Sequence, residues 1–299
     1  MHLHTPPHIF ITGANGQLGR EFRELERAHP AFQFTFAARE ELDVTQETAI
    51  RKFFATPAFD YCINCAAYTA VDKAESEPEA AQLGNVDAVR WLAEACARQG
   101  TSLVHYSTDY VYHNQQNTPF KEEDPTTPQS VYARTKLAGE QAARAANPKT
   151  LILRTSWVYS AFGHNFVKTM LRLGKEREEL NVVFDQVGTP TYARGLAQAT
   201  LEMIRKVEQG EVAHNKLQGI YHYSDEGVCS WYDFALAVFE LAGISCKVLP
   251  IETKDFPTAA ARPPYSVLNK RKIKAAFGLE LQHWREGLRE MMAILRSKK

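Results

Sequence analysis

The sequence predicts the α/β class: a doubly wound parallel sheet carrying a second, smaller α/β lobe. Three observations point there. Short apolar runs alternate with helical patterns from residue 8 to residue 154. A glycine-rich turn follows the first apolar run directly. Beyond residue 160 the alternation breaks into a mixed order of helices and short strands.

Taken in order, His8–Thr12 (HIFIT) is a buried strand stopped by Gly13. Residues 17–28 carry Leu18, Phe22 and Leu25 at helical spacing, and 32–37 alternate aromatic residues as a strand. A helix is expected over 46–54, a strand over 61–65, and one long helix over 78–98, where Leu83, Val86, Val89, Leu92 and Ala93 share a side. Residues 102–106 form the fourth strand, 131–146 a helix and 151–154 the fifth strand. Right-handed crossovers then place helices on both faces of the sheet. In the second half, helices are expected over 165–177, 193–207 and 230–242, with a closing helix near 283–296. Strands are expected over 181–184, 219–222 and 247–251, and 256–264 is a proline-rich connection.

Composition narrows the function classes. The 299 residues are 44% hydrophobic and 23% charged, with a formal net charge of zero. That balance lacks the basic excess of a nucleic-acid binder. No apolar run is long enough to cross a bilayer. The polar, His-rich run Met1–His8 lacks the apolar core of a signal peptide, so a cytoplasmic location is expected, with no membrane partner. Cys62 and Cys65 are spaced C-x-x-C, but they fall in an apolar strand without a second pair. They read as buried structural thiols.

The chemistry begins at the turn Gly13-Ala14-Asn15-Gly16-Gln17-Leu18-Gly19. Glycines let the chain turn tightly and let backbone N–H groups approach a phosphate, and the following helix adds its positive end. The position between strand and helix marks a Rossmann-type dinucleotide site. Cofactor choice follows from the end of the second strand, where an acid would favour NAD. Here Ala37-Ala38-Arg39 stands instead. A guanidinium suits a 2′-phosphate, so NADPH is expected and NADH is the alternative; Arg39 as a plain surface charge stays open. Asp43 and Val44 are placed at the adenine pocket. Ala66 and Ala67, ending the third strand, would let the cofactor pass.

Tyr132 and Lys136 stand four apart at a helix start, hence on one face. A nearby ammonium is expected to lower the phenol's pKa from its usual value near 10. Such a phenol can protonate an alkoxide as hydride arrives. Ser107-Thr108-Asp109-Tyr110 follows the fourth strand, where ligands bind in open α/β sheets. The Thr108 hydroxyl can bond a substrate carbonyl beside Tyr132, or serve as a turn cap.

These blocks resemble the dTDP-4-dehydrorhamnose reductase family of the extended short-chain dehydrogenases/reductases. The stretches 64–77 (NCAAYTAVDKAESE), 105–111 (HYSTDYV), 131–140 (VYARTKLAGE), 154–159 (RTSWVY), 165–171 (NFVKTML) and 185–191 (DQVGTPT) carry the likeness, with Arg262-Pro263, Ser266 and Leu268. It covers nearly the whole chain. It implies NAD(P)H-dependent reduction of the C4 keto group of dTDP-4-dehydro-L-rhamnose for surface polysaccharide, with Tyr132 as proton donor and Thr108 and Lys136 assisting. It implies that Thr69, Asp109, Tyr110 and Trp157 line the sugar–nicotinamide pocket and that Tyr106 belongs to the cofactor site. Arg262 would face the nucleotide; a core role for Trp157 and a loop-holding salt bridge for Arg262 stay open. Relatives often carry a glycine-containing turn after Val111, whereas this chain has Tyr112-His113-Asn114-Gln115-Gln116-Asn117. Some relatives dimerise through Mg2+, but no residue here is assigned to a metal, and monomer and homodimer both stay open. Residues 1–160 are expected to form the Rossmann domain, with a return at about 185–210, and 161–299 mainly the smaller substrate lobe. Two other readings compete: an epimerase or dehydratase of the same superfamily, and a non-catalytic NADP-binding subunit resembling the methionine adenosyltransferase beta subunit.

Overall fold

The computed structural model describes residues 5–56 and 58–297, so part of the polar run Met1–His8 lies outside the described residues. Its centre is a six-stranded parallel sheet. The strands are β1 (His8–Thr12), β2 (Gln33–Ala37), β3 (Tyr61–Asn64), β4 (Ser102–Thr108), β5 (Thr150–Thr155) and the edge strand Gly219–His222. Their spatial order is Gly219–His222, β5, β4, β3, β1, β2. The order reverses between β1 and β3, which opens the crevice used by doubly wound folds.

Alternation along each strand sorts the core into two layers. Ile9, Ile11, Ile63, Val104, Leu151 and Leu153 face one layer, shared with Phe22 and Leu25 of helix Gln17–Leu25. Phe10, Cys62, Leu103 and Ile152 face the other, with Val89 and Leu92 of helix Ala88–Gln99. Side chains on both faces are buried, so these strands read as continuous apolar runs.

The long helix expected over 78–98 is continuous in direction but not in pitch. Pro78–Gln82 and Ala88–Gln99 are α-helical, and Leu83–Asp87 between them is a π-helical turn. That bulge brings the Asn85 backbone against helix Val131–Ala146 at Gly139, where a Cβ would lie 2.0 Å from the Asn85 carbonyl oxygen. Glycine at 139 permits this approach.

The second lobe has its own core, including Val167, Met170, Leu180, Phe234, Val238, Leu288 and Met291. Its small parallel pair joins Glu179–Val183 to Lys247–Ile251. Helix Trp231–Ala242 starts with a reciprocal cap between Ser230 and Asp233.

The chain returns to the first domain more often than the sequence order implied. Helix Ala193–Glu208 covers the main sheet, close to the expected return. Strand Gly219–His222, expected in the second lobe, instead pairs with β5. Helix Arg271–Phe277, which the periodicity did not reveal, adds Ile273 and Phe277 to the main core. An edge strand buries its faces through pairing and cover, and neither partner is adjacent in sequence. In the variant loop after Val111, Tyr112 is fully buried against Phe120, and Asn114 caps the turn by accepting from the Gln116 N–H at 2.8 Å.

Candidate active site

The glycine turn and the helix behind it form one wall of the site. Gly13 has φ +62°, and a Cβ there would sit 2.7 Å from the Ala66 nitrogen. A Cβ on Gly19 would sit 2.4 Å from the Gly13 carbonyl oxygen. Both glycines are steric necessities of the loop. Gly16 begins helix Gln17–Leu25 with no side-chain cap, leaving its first N–H groups facing the cavity. The Asn165 side-chain amide donates to Gln17 Oε1 at 2.9 Å, tying the turn to the second lobe.

A cleft of about 640 Å3 runs from this turn along the carboxyl ends of β3, β4 and β5. Gly16, Gln17, Leu18, Ala66, Ala67, Thr69, Tyr106, Thr108, Asp109, Tyr110, Tyr132, Lys136 and Trp157 all line it. Gly13, Arg39, Asp43 and Val44 line an adjoining pocket of about 310 Å3, which shares Ala66 and Ala67 with the cleft. Gly19 lies beneath the loop rather than on a wall. The Arg39 side chain is 78% exposed, 3.5 Å from Asp43. Asp43 also accepts from the Thr45 N–H and hydroxyl.

Helix Val131–Ala146 is held at its start and again in its middle. Ser130 accepts from the Ala133 N–H at 3.1 Å, and Glu75 accepts from the Val131 N–H at 2.7 Å. Deeper along it, buried Glu140 pairs with Arg154 of β5 at 2.7 Å and accepts from Ser107. Tyr132 and Lys136 are thereby presented to the cleft from a fixed helix.

The Thr108 hydroxyl donates to Asp109 Oδ1 at 3.1 Å and stands beside the Tyr132 phenol. It also accepts from the Tyr110 N–H at 3.2 Å, so the turn-cap role and the cleft-facing role coexist. Tyr110 meets Tyr132 edge-on, with centroids 5.9 Å apart. Desolvation pushes the Tyr132 phenol up to about 12, against the lowering influence of the Thr108 side chain. The expected lowering by Lys136 is therefore not seen. The Lys136 ammonium donates to the Tyr106 carbonyl at 2.6 Å, and burial holds it down at about 8. Burial likewise raises the Asp109 carboxyl to about 7, against hydrogen bonds from Ser266 and Thr108.

Trp157 has φ +46°, the only positive value on a non-glycine residue among those described. Its ring stacks on Trp231 at 3.5 Å. Behind it a Cβ on Gly188 would lie 2.8 Å from the indole. Trp231, which sequence reasoning passed over, lines both the main cleft and a third cavity of about 690 Å3 in the second lobe. Tyr110 and Arg262 also line that third cavity, with Phe166, Met170, Leu180 and Gln186. A tryptophan at a helix start has no distinctive sequence signal. Arg262 is paired with Asp72 beside Tyr110, so the loop-holding role is realised at the rim of that cavity.

The match to known proteins follows the same geometry. The family model described as the RmlD substrate binding domain matches residues 7–297. The chain belongs to the dTDP-4-dehydrorhamnose reductase family. The Escherichia coli member is 48% identical over 241 residues, 78% of this chain and 79% of that one. A crystal structure of the Clostridium acetobutylicum reductase superposes with a TM-score of 0.90 at 42% identity, covering 97% of this chain and 99% of that one. The Bacillus anthracis reductase, solved in complex with NADP, superposes at 0.89 with 38% identity, covering 97% and 100%. As in a reductase of this family, a nicotinamide dinucleotide fits the chain's own features: a glycine cradle, an uncapped helix start and an exposed arginine. Among the described residues, no group of three or more His, Cys, Asp or Glu side chains could hold a metal ion. No described helix is long and apolar enough to cross a membrane.

Proposed function

We propose that this protein reduces the C4 keto group of dTDP-4-dehydro-L-rhamnose to give dTDP-L-rhamnose, in the cytoplasm and with NADPH preferred. One observation carries the reading: Thr108, Tyr132 and Lys136 meet in a cleft that begins at the glycine turn and opens into the second lobe. NADPH, when bound, supplies the hydride. The N–H groups at the start of helix Gln17–Leu25 hold its diphosphate, Val44 and Asp43 border its adenosine, and Arg39 binds its 2′-phosphate.

Thr108 orients the keto oxygen through its hydroxyl. Tyr132, fully protonated near neutral pH because its phenol is raised, gives its proton to the developing alkoxide. Lys136 offsets the charge then left on the phenolate. Asp109, Tyr110 and Trp157 enclose the sugar, and Thr69 lies where sugar and nicotinamide meet. The stacked pair Trp157 and Trp231 forms an apolar wall where the cleft joins the cavity of the second lobe. Stoichiometric loss of NADPH absorbance at 340 nm is the result expected on adding the dTDP-4-keto sugar. Sugar conversion without net NADPH consumption would instead identify an epimerase or dehydratase. NADPH binding without any turnover, together with capture of an adenosyltransferase, would identify a regulatory subunit.

A further inference from the structure

Four buried polar side chains form a line beneath the cleft: Thr12, Asn64, His105 and Lys136. Asn64 and Lys136 reach the cleft wall, whereas fully buried His105 does not. The direction of each hydrogen bond follows from one end. The Ala66 backbone N–H, which can only donate, points to Asn64 Oδ1 at 3.1 Å. The Thr12 hydroxyl donates to the same oxygen at 2.7 Å. That oxygen is therefore the amide carbonyl, and the Asn64 amide nitrogen faces His105 Nδ1 at 3.1 Å. An amide nitrogen only donates, so Nδ1 accepts and carries no proton. A neutral imidazole then bears its proton on Nε2. Nε2 lies 3.4 Å from Lys136 Nζ. Against an ammonium, the Nε2–H has no lone pair to meet. Against a neutral amine, it has one.

We infer that His105, held by Asn64 in its Nε2–H form, is a positioning residue that favours the neutral amine of Lys136 and so readies that lysine to release a proton during turnover. The inference rests on the proposed reduction. Tyr132, having given its proton to the substrate oxygen, has to regain one, and on this inference Lys136, one turn along the same helix and lining the same cleft, supplies it: one N–H bond breaks on the ammonium, one O–H bond forms on the phenolate, and the amine left behind accepts the Nε2–H. Solvent then reprotonates the lysine. Burial acts in the same sense on both partners, keeping His105 neutral and bringing Lys136 down to about 8. Glu140, one turn along the same helix, pulls Lys136 the other way, but its carboxylate is already held by Arg154 and Ser107. Cys65 from the end of β3, Tyr106 from β4, Asp109 and Tyr110 just beyond it, Tyr132 and His164 are the other titratable groups among the described residues that line this cleft.

The test reads the tautomer first. Nitrogen-15 NMR of histidine-labelled protein at pH 7 is expected to show His105 neutral with the proton on Nε2, its signals identified by their loss in His105→Gln or their movement in Asn64→Asp. A proton on Nδ1, or an imidazolium, in the unaltered protein would overturn the inference. Asn64→Asp keeps the acceptor for Thr12 and Ala66 but presents a carboxylate to Nδ1. It is expected to move the proton to Nδ1 and turn Nε2 into an acceptor for the ammonium. The alkaline limb of the kcat–pH profile should then move up by about one pH unit, the low end of shifts caused by such changes of partner. A tautomer change with the limb unmoved would also overturn it. If the unaltered protein consumed no NADPH with the sugar nucleotide, the proposed reaction would fall while the tautomer measurement remained readable.

Discussion

Arg262 grips Asp72 with two side-by-side hydrogen bonds, Nη1 to Oδ1 at 3.0 Å and Nη2 to Oδ2 at 2.6 Å. The Ala260 N–H joins them on the same carboxylate at 3.1 Å. The pair fastens the proline-rich connection 256–264 to helix Val71–Ala74, across the rim of the cleft.

Asp72→Asn should therefore loosen the connection at modest cost. The carboxylate is 47% exposed, so a loss of about 0.2–1 kcal/mol at pH 7 is expected by urea unfolding. The Arg262 hydrogen bond holds the Asp72 carboxyl below its ordinary 3.8. A carboxyl lowered on folding contributes stability above its unfolded value and loses it as pH falls through the lower folded value. The gap between variant and parent should close under acid below about pH 4. A gap that persists at pH 2 would show that the effect is not the ion pair.

Tyr132→Phe should bind NADPH normally and lose about 10²–10⁴-fold in kcat, the usual contribution of a general acid. Fluorescence titration and the 340 nm assay measure the two halves separately. Near-parental kcat would remove Tyr132 from the proton-donor role.

Arg39→Ala should weaken NADPH far more than NADH. A hydrogen bond to a charged group is worth about 1.5–3 kcal/mol, or roughly 10- to 150-fold in Kd. Isothermal titration with both cofactors decides it. Equal weakening would make Arg39 a surface charge, as its open setting would also allow.

Asp109 gives a pH dependence of opposite sign to Asp72. Burial raises its carboxyl to about 7 in the folded chain, so folding favours the protonated form. Its contribution is harmless below the unfolded value near 3.9 and grows more destabilising up to about pH 7. Asp109→Asn, compared with the parent by chemical unfolding from pH 4 to pH 8, should gain relative stability as pH rises. A pH-independent difference would mean that Asp109 is ionised in the fold.

Most of the first domain was legible because its signals are local. The run HIFIT, the glycines that follow it and the period of residues 131–146 each depend on neighbours along the chain. The same holds for Tyr132 and Lys136, whose spacing alone puts them on one helical face. What escaped reading depends on distant partners. Gly219–His222 joins the main sheet only because β5 offers an open edge. The π-helical turn at Leu83–Asp87 makes sense only against Gly139. Trp231 becomes a cleft wall only when Trp157 lies on it.

By itself, the sequence determined the doubly wound class, the glycine turn between the first strand and the first helix, and the helical face that Tyr132 and Lys136 share. These follow from backbone sterics, side-chain period and functional-group chemistry, all of which act over a few residues. Only the tertiary structure decided the protonation of the site. The raised phenol of Tyr132, the lowered ammonium of Lys136 and the partner chosen by Arg262 arise from burial and through-space contacts between segments far apart in the chain. Desolvation is a property of the packed whole, and no stretch of sequence carries it.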